Sequence, residues 1–285
     1  MKKSIAIIGA VILFLIALGI TFYPIISSIY NEKHQSVTQT HYEEVLVHTD
    51  TSQIDNAWNK ANEYNQMLQP GTLETDVFGQ SALQTASEQY DSLLNITGTG
   101  IMGYVEIPSI SVYLPIYHGT GSDSLERGIG HLMGSSLPVG GVRTHTVLTG
   151  HSGMANQKLF TDITVMKEGD VFYLHVLDQT LAYQVDQLNT VLPHDTTHLG
   201  ISSDADLCTL ITCTPVGVNT HRLLVRGHRI PYEEAVVIEE EIVPEDLPES
   251  TWEQQYVDGL VLGLVILVIV GIILLIISAV RDYYD

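Results

Sequence analysis

The apolar positions of this chain fall into three patterns. At both ends they are continuous: Ile5 to Tyr23 (IAIIGAVILFLIALGITFY) and Leu260 to Val280 (LVLGLVILVIVGIILLIISAV) hold no charged side chain. Each is about long enough to cross a bilayer as a helix, which takes about 20 residues. From 30 to 70 the apolar positions recur at helical spacing on a polar background, with Ala57, Trp58, Ala61, Tyr64, Asn65 and Leu68 in phase. Pro70 and Gly71 stop that helix. A loop, LETDVFGQSA, follows, and a second helix is expected from about Ala82 to Leu94, with Leu83, Ala86, Tyr90 and Leu94 on one face.

From Met102 the period shortens. MGYVEIPSI, VYLPIYHG, HTVLTGH, VFYLHVL, TLAYQVDQLNTVL, LCTLITC and RLLVRGHR are short, β-branched and aromatic, and Gly, Pro, Asn or Asp separates them. Seven such segments predict an all-β sandwich or barrel. Two interruptions, DSLERGIG near 125 and QKLFTDIT near 160, read as short helices. After Arg229 comes EEAVVIEEEIVPEDLPES, with no Lys or Arg before Arg281. Like charges repel and prolines do not pair, so this reads as an extended spacer, with an interaction tail as the alternative. Gly259 and Gly263 make one G-x-x-x-G at the start of the last apolar stretch.

The net charge of −21 beside 45% hydrophobic residues means that apolar and acidic residues are segregated. No basic patch exists to neutralise phosphates, which argues against nucleic acid as a partner. Lys2 and Lys3 precede the first apolar stretch and Arg281 follows the second. Positive charge marks the cytoplasmic side, so both termini are expected inside and residues from about 27 to 257 outside. A cleaved signal peptide is the other reading of the first stretch, but it lacks a clear A-x-A site.

Candidate chemistry centres on Leu207 to Arg229, LCTLITCTPVGVNTHRLLVRGHR, a hairpin around a Pro/Gly/Asn turn. Alternation puts Thr209, Ile211 and Cys213 on one face and Cys208, Leu210 and Thr212 on the other. The two cysteines are five residues apart, roughly 16 Å in an extended strand, beyond disulfide reach. Cys208, inside the strand, reads as core; Cys213 sits at the lip of the turn. Arg222 opens the returning strand and brings a permanent cation alongside that thiol. Of twelve histidines, His34, His41 and His48 are in the membrane-proximal segment, and His118, His175, His194 and His198 show no distinctive partner. No spacing suggests a metal site. His151 differs, because it ends a strand and opens the Gly-bounded loop VLTGHSG.

These residues resemble a family. Thr209-Leu210-Ile211-Thr212-Cys213 matches the T-L-x-T-C signature of sortases, the cysteine transpeptidases of Gram-positive bacterial surfaces. GYVEIPSISVYLPIYHGT, GSSLPVGGVRTHTVLTGHSG, KLFTDI and CTPVGVNTHRLLVRGHR are similar to class C sortases, the pilin polymerases, nearly continuously over 102–230. The resemblance implies a mostly β fold: a closed sortase-type barrel with short helices, an N-terminal helical arm with a lid loop, and two terminal transmembrane helices. The divisions expected are an anchor at 1–26, the arm at 27–100, the barrel at 101–232, an acidic spacer at 233–257 and a second span at 258–281.

By the same resemblance Cys213 is the nucleophile, His151 the histidine of T-G-H, and Arg222 the arginine of the following strand. Asp76 and Phe78 match the lid, whose acid reaches the active-site arginine and whose ring covers the thiol. Val77 stands where relatives usually have Pro, and Ser152 where many have Arg. The implied reaction cleaves an L-P-x-T-G-like sorting signal between Thr and Gly and passes the acyl group to a pilin lysine, with no metal or cofactor. A lid would limit loss of the thioester to water. Partners are then pilin subunits and the bilayer. Two rivals remain: a transpeptidase that anchors proteins to cell-wall peptide, and a non-catalytic membrane-anchored assembly protein. A papain-like protease fits poorly, because this Cys follows the His and ends a strand.

Overall fold

The computed structural model describes residues 2–69, 88–154, 157–241, 258–263, 265–266 and 269. Helix α1 (Lys2–His48) runs through the first apolar stretch. The single helix expected from 30 to 70 is two, because Asp50 starts a new one: its extended backbone caps α2 (Thr51–Met67), and its carboxylate accepts the Ser52 N–H at 2.8 Å. Ile54, Ala61 and Asn65 form the buried face of α2, with Ala57, Trp58 and Tyr64 packed partly against the core. Asn65 pairs with the backbone of Leu137 as a strand would, accepting its N–H at 2.7 Å and donating to its carbonyl at 3.2 Å. The described part of the second expected helix is α3 (Glu88–Ser92), which brings Tyr90 inside. The loop carrying Asp76, Val77 and Phe78 lies outside the described residues.

Eight strands close a barrel: β1 (Ile101–Ile107), β2 (Val112–His118), β3 (Ile129–His131), β4 (Thr144–Thr149), β5 (Val171–Val176), β6 (Gln179–Val191), β7 (Asp206–Thr214) and β8 (His221–Ile230). Around the barrel the order is β1-β2-β3-β4-β7-β8-β6-β5. Seven of these were expected. The eighth, β3, lies in the segment read as helical, of which only α4 (Ser122–Leu125) is an α-helix. Three residues with a glycine at the centre show no alternation, yet β3 joins β2 in parallel to β4 antiparallel. Gly130 allows the close approach, since a Cβ there would sit 2.4 Å from the Gly119 carbonyl. The other interruption is a 3-10 turn, Thr161–Val165.

β7 reads as continuously apolar because both of its faces are covered. Cys208 and Leu210 join Leu148 and Val225 in the main core, whereas Ile211 packs with Val147 and Leu224 in a separate cluster roofed by Leu132 and Leu199.

The spacer expected from 233 begins as a helix, α5 (Tyr232–Glu241). Ala235 and Ile238 share a side and pack on Val171, Tyr173, Ala182 and Ile230, and the Tyr173 hydroxyl donates to Glu239 at 2.8 Å. Burial of that side outweighs the like-charge repulsion on which the extended reading rested. Among the described residues no helix is long and apolar enough to cross a membrane, so both expected spans rest on sequence alone.

Candidate active site

Cys213 and Arg222 are direct partners in the antiparallel β7–β8 ladder, which puts their side chains on one face. Both are nearly enclosed, at 9% and 8% exposure. The turn between them holds the guanidinium: Arg222 Nη1 donates to the carbonyls of Asn219 and His221, each at 3.2 Å. Gly217 and Asn219 adopt left-handed backbone at φ 79° and 61°, a conformation that these two residue types tolerate best. The Asn219 N–H closes the turn on the Pro215 carbonyl at 2.9 Å.

On the other side of β7 lies β4, in parallel register from Thr144 opposite Asp206 to Thr149 opposite Ile211. Carried two residues further, that register sets His151 level with Cys213. Bonds between the loop and the strand hold it there. The Gly150 N–H donates to the Ile211 carbonyl (3.0 Å), the Thr212 hydroxyl to the Gly150 carbonyl (2.8 Å), and the Ser152 hydroxyl to the Cys213 carbonyl (2.6 Å). The His151 carbonyl accepts from the Phe160 N–H at 3.1 Å. Only glycine fits at 150, where a Cβ would meet Ile129 Cδ1 at 2.6 Å and the Phe160 ring at 2.9 Å. His151, just past the end of β4, and Arg222, on β8, therefore lie level with Cys213 on the two sides of β7, one row of three along the backbone.

Partial burial lowers the pKa of His151 from the usual imidazole value, and the nearby Glu126 carboxylate acts against that shift. The ring is thereby held toward its neutral form. The Cys208 thiol is fully buried; its pKa is raised well above the ordinary value, first by burial and then by the Asp206 charge. A thiol kept protonated is a poor nucleophile, in keeping with its place in the core.

Several polar residues that the pattern did not single out support this row. Ser152 and Thr212 bind the His151 loop to β7. Thr209, from the same five-residue signature, sits 2.7 Å from His145 Nε2 on the face it shares with Cys213. His118 and His175 do have partners: the His118 ring bonds the carbonyls of Leu93 (2.7 Å) and Gly100 (3.0 Å), and His175 bonds Glu106 (2.6 Å). Such contacts join residues far apart in sequence and leave no local signal. Asp76 and Phe78 lie outside the described residues, and among those described no group of His, Cys, Asp and Glu could hold a metal ion.

The Sortase domain model matches residues 105–230. Sortase D of Bacillus subtilis (strain 168) is 30% identical over 131 residues, 45% of this chain and 63% of that protein. The solved sortase C of Streptococcus pneumoniae is 46% identical with a TM-score of 0.62, covering 68% of this chain and 96% of that one. A pilus-related sortase C of Group B Streptococcus is 38% identical with a TM-score of 0.61, covering 68% and 97%. A row of His, Cys and Arg on a closed eight-stranded barrel, joined to this degree of identity over nearly the whole of two solved sortases C, places the chain in the sortase family, in its class C.

Proposed function

We propose that this chain is a cysteine transpeptidase that cleaves an L-P-x-T-G-like sorting signal between Thr and Gly and joins the acyl group to a pilin lysine. The observation that carries the reading is the His151–Cys213–Arg222 row. Starting from neutral imidazole, His151 takes the thiol proton as Cys213 Sγ attacks the Thr carbonyl. Arg222, which does not give up a proton, stabilises the developing oxyanion by charge. The C–N bond then breaks, His151 passes its proton to the departing Gly amine, and a thioester remains on Cys213. A lysine amine attacks that thioester; His151 takes the amine proton and returns it to sulfur, leaving an isopeptide bond.

A pilin as the substrate is supported by relatives, one described as pilus-related and another as bearing on pilin substrate specificity. The two uncharged apolar stretches at 5–23 and 260–280 support a membrane protein with cytoplasmic termini and an extracellular barrel. Asp76 and Phe78 are assigned to a lid from their match to the family pattern. Replacing either with Ala should speed reaction of Cys213 with a small thiol reagent, and an unchanged labelling rate would remove the lid from the scheme.

The decisive test is Cys213→Ala. It should abolish polymer ladders of the cognate pilin while circular dichroism stays that of the parent, and the wild type should yield an acyl-enzyme on Cys213 by mass spectrometry. Ladders made by the variant would overturn the proposal. Products attached to a peptidoglycan amine but never to pilin would point to the wall-anchoring reaction.

A further inference from the structure

The β4–β7 ladder ends at Thr149 and Ile211, two residues short of His151 and Cys213. Past that point the chain is tied from two sides. Toward β7, the Ser152 hydroxyl donates to the Cys213 carbonyl at 2.6 Å. Toward the 3-10 turn, the Phe160 N–H donates to the His151 carbonyl at 3.1 Å, and the Gly153 N–H donates to the Thr161 hydroxyl oxygen at 2.9 Å. Gly153 has left-handed backbone, φ 71°, and a Cβ on it would sit 2.7 Å from Val216 Cγ1 in the β7–β8 turn. The stretch from His151 to Gly153 is thus wedged between the hairpin that carries the thiol and the turn that carries Thr161.

Thr161 is the firm end of the second tie. It is buried, its N–H donates to the Lys158 carbonyl at 3.0 Å, and its carbonyl accepts the Thr164 hydroxyl at 3.0 Å. Phe160 and Ile163, on either side of it, belong to the main core. Lys158 anchors the same turn to the barrel: its ammonium donates to the Ile110 carbonyl at 2.7 Å and pairs with the buried Asp162 carboxylate at 3.1 Å. Gly153, at the other end of the bond, is exposed.

We propose that Thr161 is a positioning residue for His151, acting through the Gly153 N–H, with Ser152 as the matching tie on the β7 side. A proton is transferred within hydrogen-bond reach, about 2.6–3.2 Å between heavy atoms, and a misplacement of about 1 Å can cost about 10²-fold in rate. Removing either hydroxyl frees one side of the loop and lets the imidazole leave the level of Cys213. The fold loses little by it, because the exposed Gly153 N–H can turn to water instead. The inference rests on the transpeptidase reading for the task of the imidazole, and on the bonds alone for its placement.

The test compares Thr161→Val, which keeps the shape and loses the acceptor, with Thr161→Ser, which keeps the hydroxyl, and adds Ser152→Ala, all in the full chain in detergent micelles. One readout is the titration of the His151 ring by NMR with histidines labelled at Cε1, its signal identified by its loss in His151→Gln. Cys213, Arg222 and Glu126 are the same in the compared variants, so a moved midpoint reports the enclosure of the ring. Partial burial lowers that midpoint in the parent; Thr161→Val and Ser152→Ala should raise it toward the ordinary value of about 6.5. The other readout is cleavage of a fluorogenic sorting peptide, where kcat should fall at least tenfold in Thr161→Val with KM within twofold. Thr161→Ser should restore both. An unchanged midpoint in Thr161→Val and Ser152→Ala, a kcat within twofold of a parent that cleaves the peptide, or a Thr161→Ser as impaired as Thr161→Val would overturn the assignment. A parent that cleaves no sorting peptide would overturn the transpeptidase reading, and the titration would still decide the positioning, so the two proposals fail separately.

Discussion

His151 is where a residue's surroundings set the chemistry most directly. Its pKa is lowered by burial and partly restored by Glu126, so the neutral ring with which the proposed reaction starts persists below the ordinary histidine pKa of about 6.5. The acid limb of kcat/KM for peptide cleavage should therefore fall below about pH 6.5. Glu126→Gln removes the charge that favours the imidazolium and should move the limb lower still. A pH profile with a fluorogenic sorting peptide checks both, and a limb above 6.5, or a shift upward in the variant, would contradict the assignment. The Gly-bounded loop marks His151 as a candidate, and its role follows only from the family resemblance. For Ser152, nothing local marks a hydroxyl that will meet the Cys213 carbonyl across the strand.

Among the elements, α2 adds a pair of side-chain hydrogen bonds from Asn65 to its apolar contacts with the core, and the helical spacing around Asn65 gives no hint of them. An asparagine on the buried side of a helix looks like a blemish in the pattern. In the structure its amide takes the place of a neighbouring strand for Leu137. Asn65→Ala would leave the buried Leu137 N–H without an acceptor, a loss of about 1–3 kcal/mol. The carbonyl keeps the Thr146 hydroxyl at 3.3 Å. Exposed Asn62, which only donates to the Trp58 carbonyl on its own helix, should tolerate Ala within about 0.5 kcal/mol. Thermal unfolding of the two variants side by side measures the difference. Helix α5 teaches a related point: its charge pattern suggested extension, and a buried Ala235 decided otherwise.

At the scale of the whole molecule, closing the barrel buries histidines that must stay neutral. His131 is fully enclosed; its Nε2–H donates to the Ser136 carbonyl at 2.9 Å, and its Nδ1 accepts from the Tyr90 hydroxyl at 2.8 Å. Burial lowers its pKa to about 4, against about 6.5 in the unfolded chain. Between those values the unfolded state binds the extra proton. Stability contributed by His131 is thus complete above pH 6.5 and declines as pH falls toward 4, by about 3 kcal/mol in all at about 1.4 per pH unit. His145, also lowered by burial, adds to the trend. Denaturant unfolding at pH 7, 6 and 5 should show the loss, and His131→Gln should flatten it even though it starts from a less stable protein. An equal slope in the variant would show that other groups carry the acid sensitivity.

What the sequence determined by itself was local: seven of the eight strands, the hairpin that puts Arg222 beside Cys213, the core position of Cys208, and two uncharged ends. Periodicity and turn chemistry act between residues a few positions apart, so they can be read without a fold. The tertiary structure decided the rest. It added β3, at three residues too short to show alternation, whose central Gly130 matters only for close approach. It set β4 parallel beside β7, and so brought His151 level with a thiol more than sixty residues later. A parallel pair has no turn to set its register; packing on both faces does that, and such packing exists only once the barrel has closed.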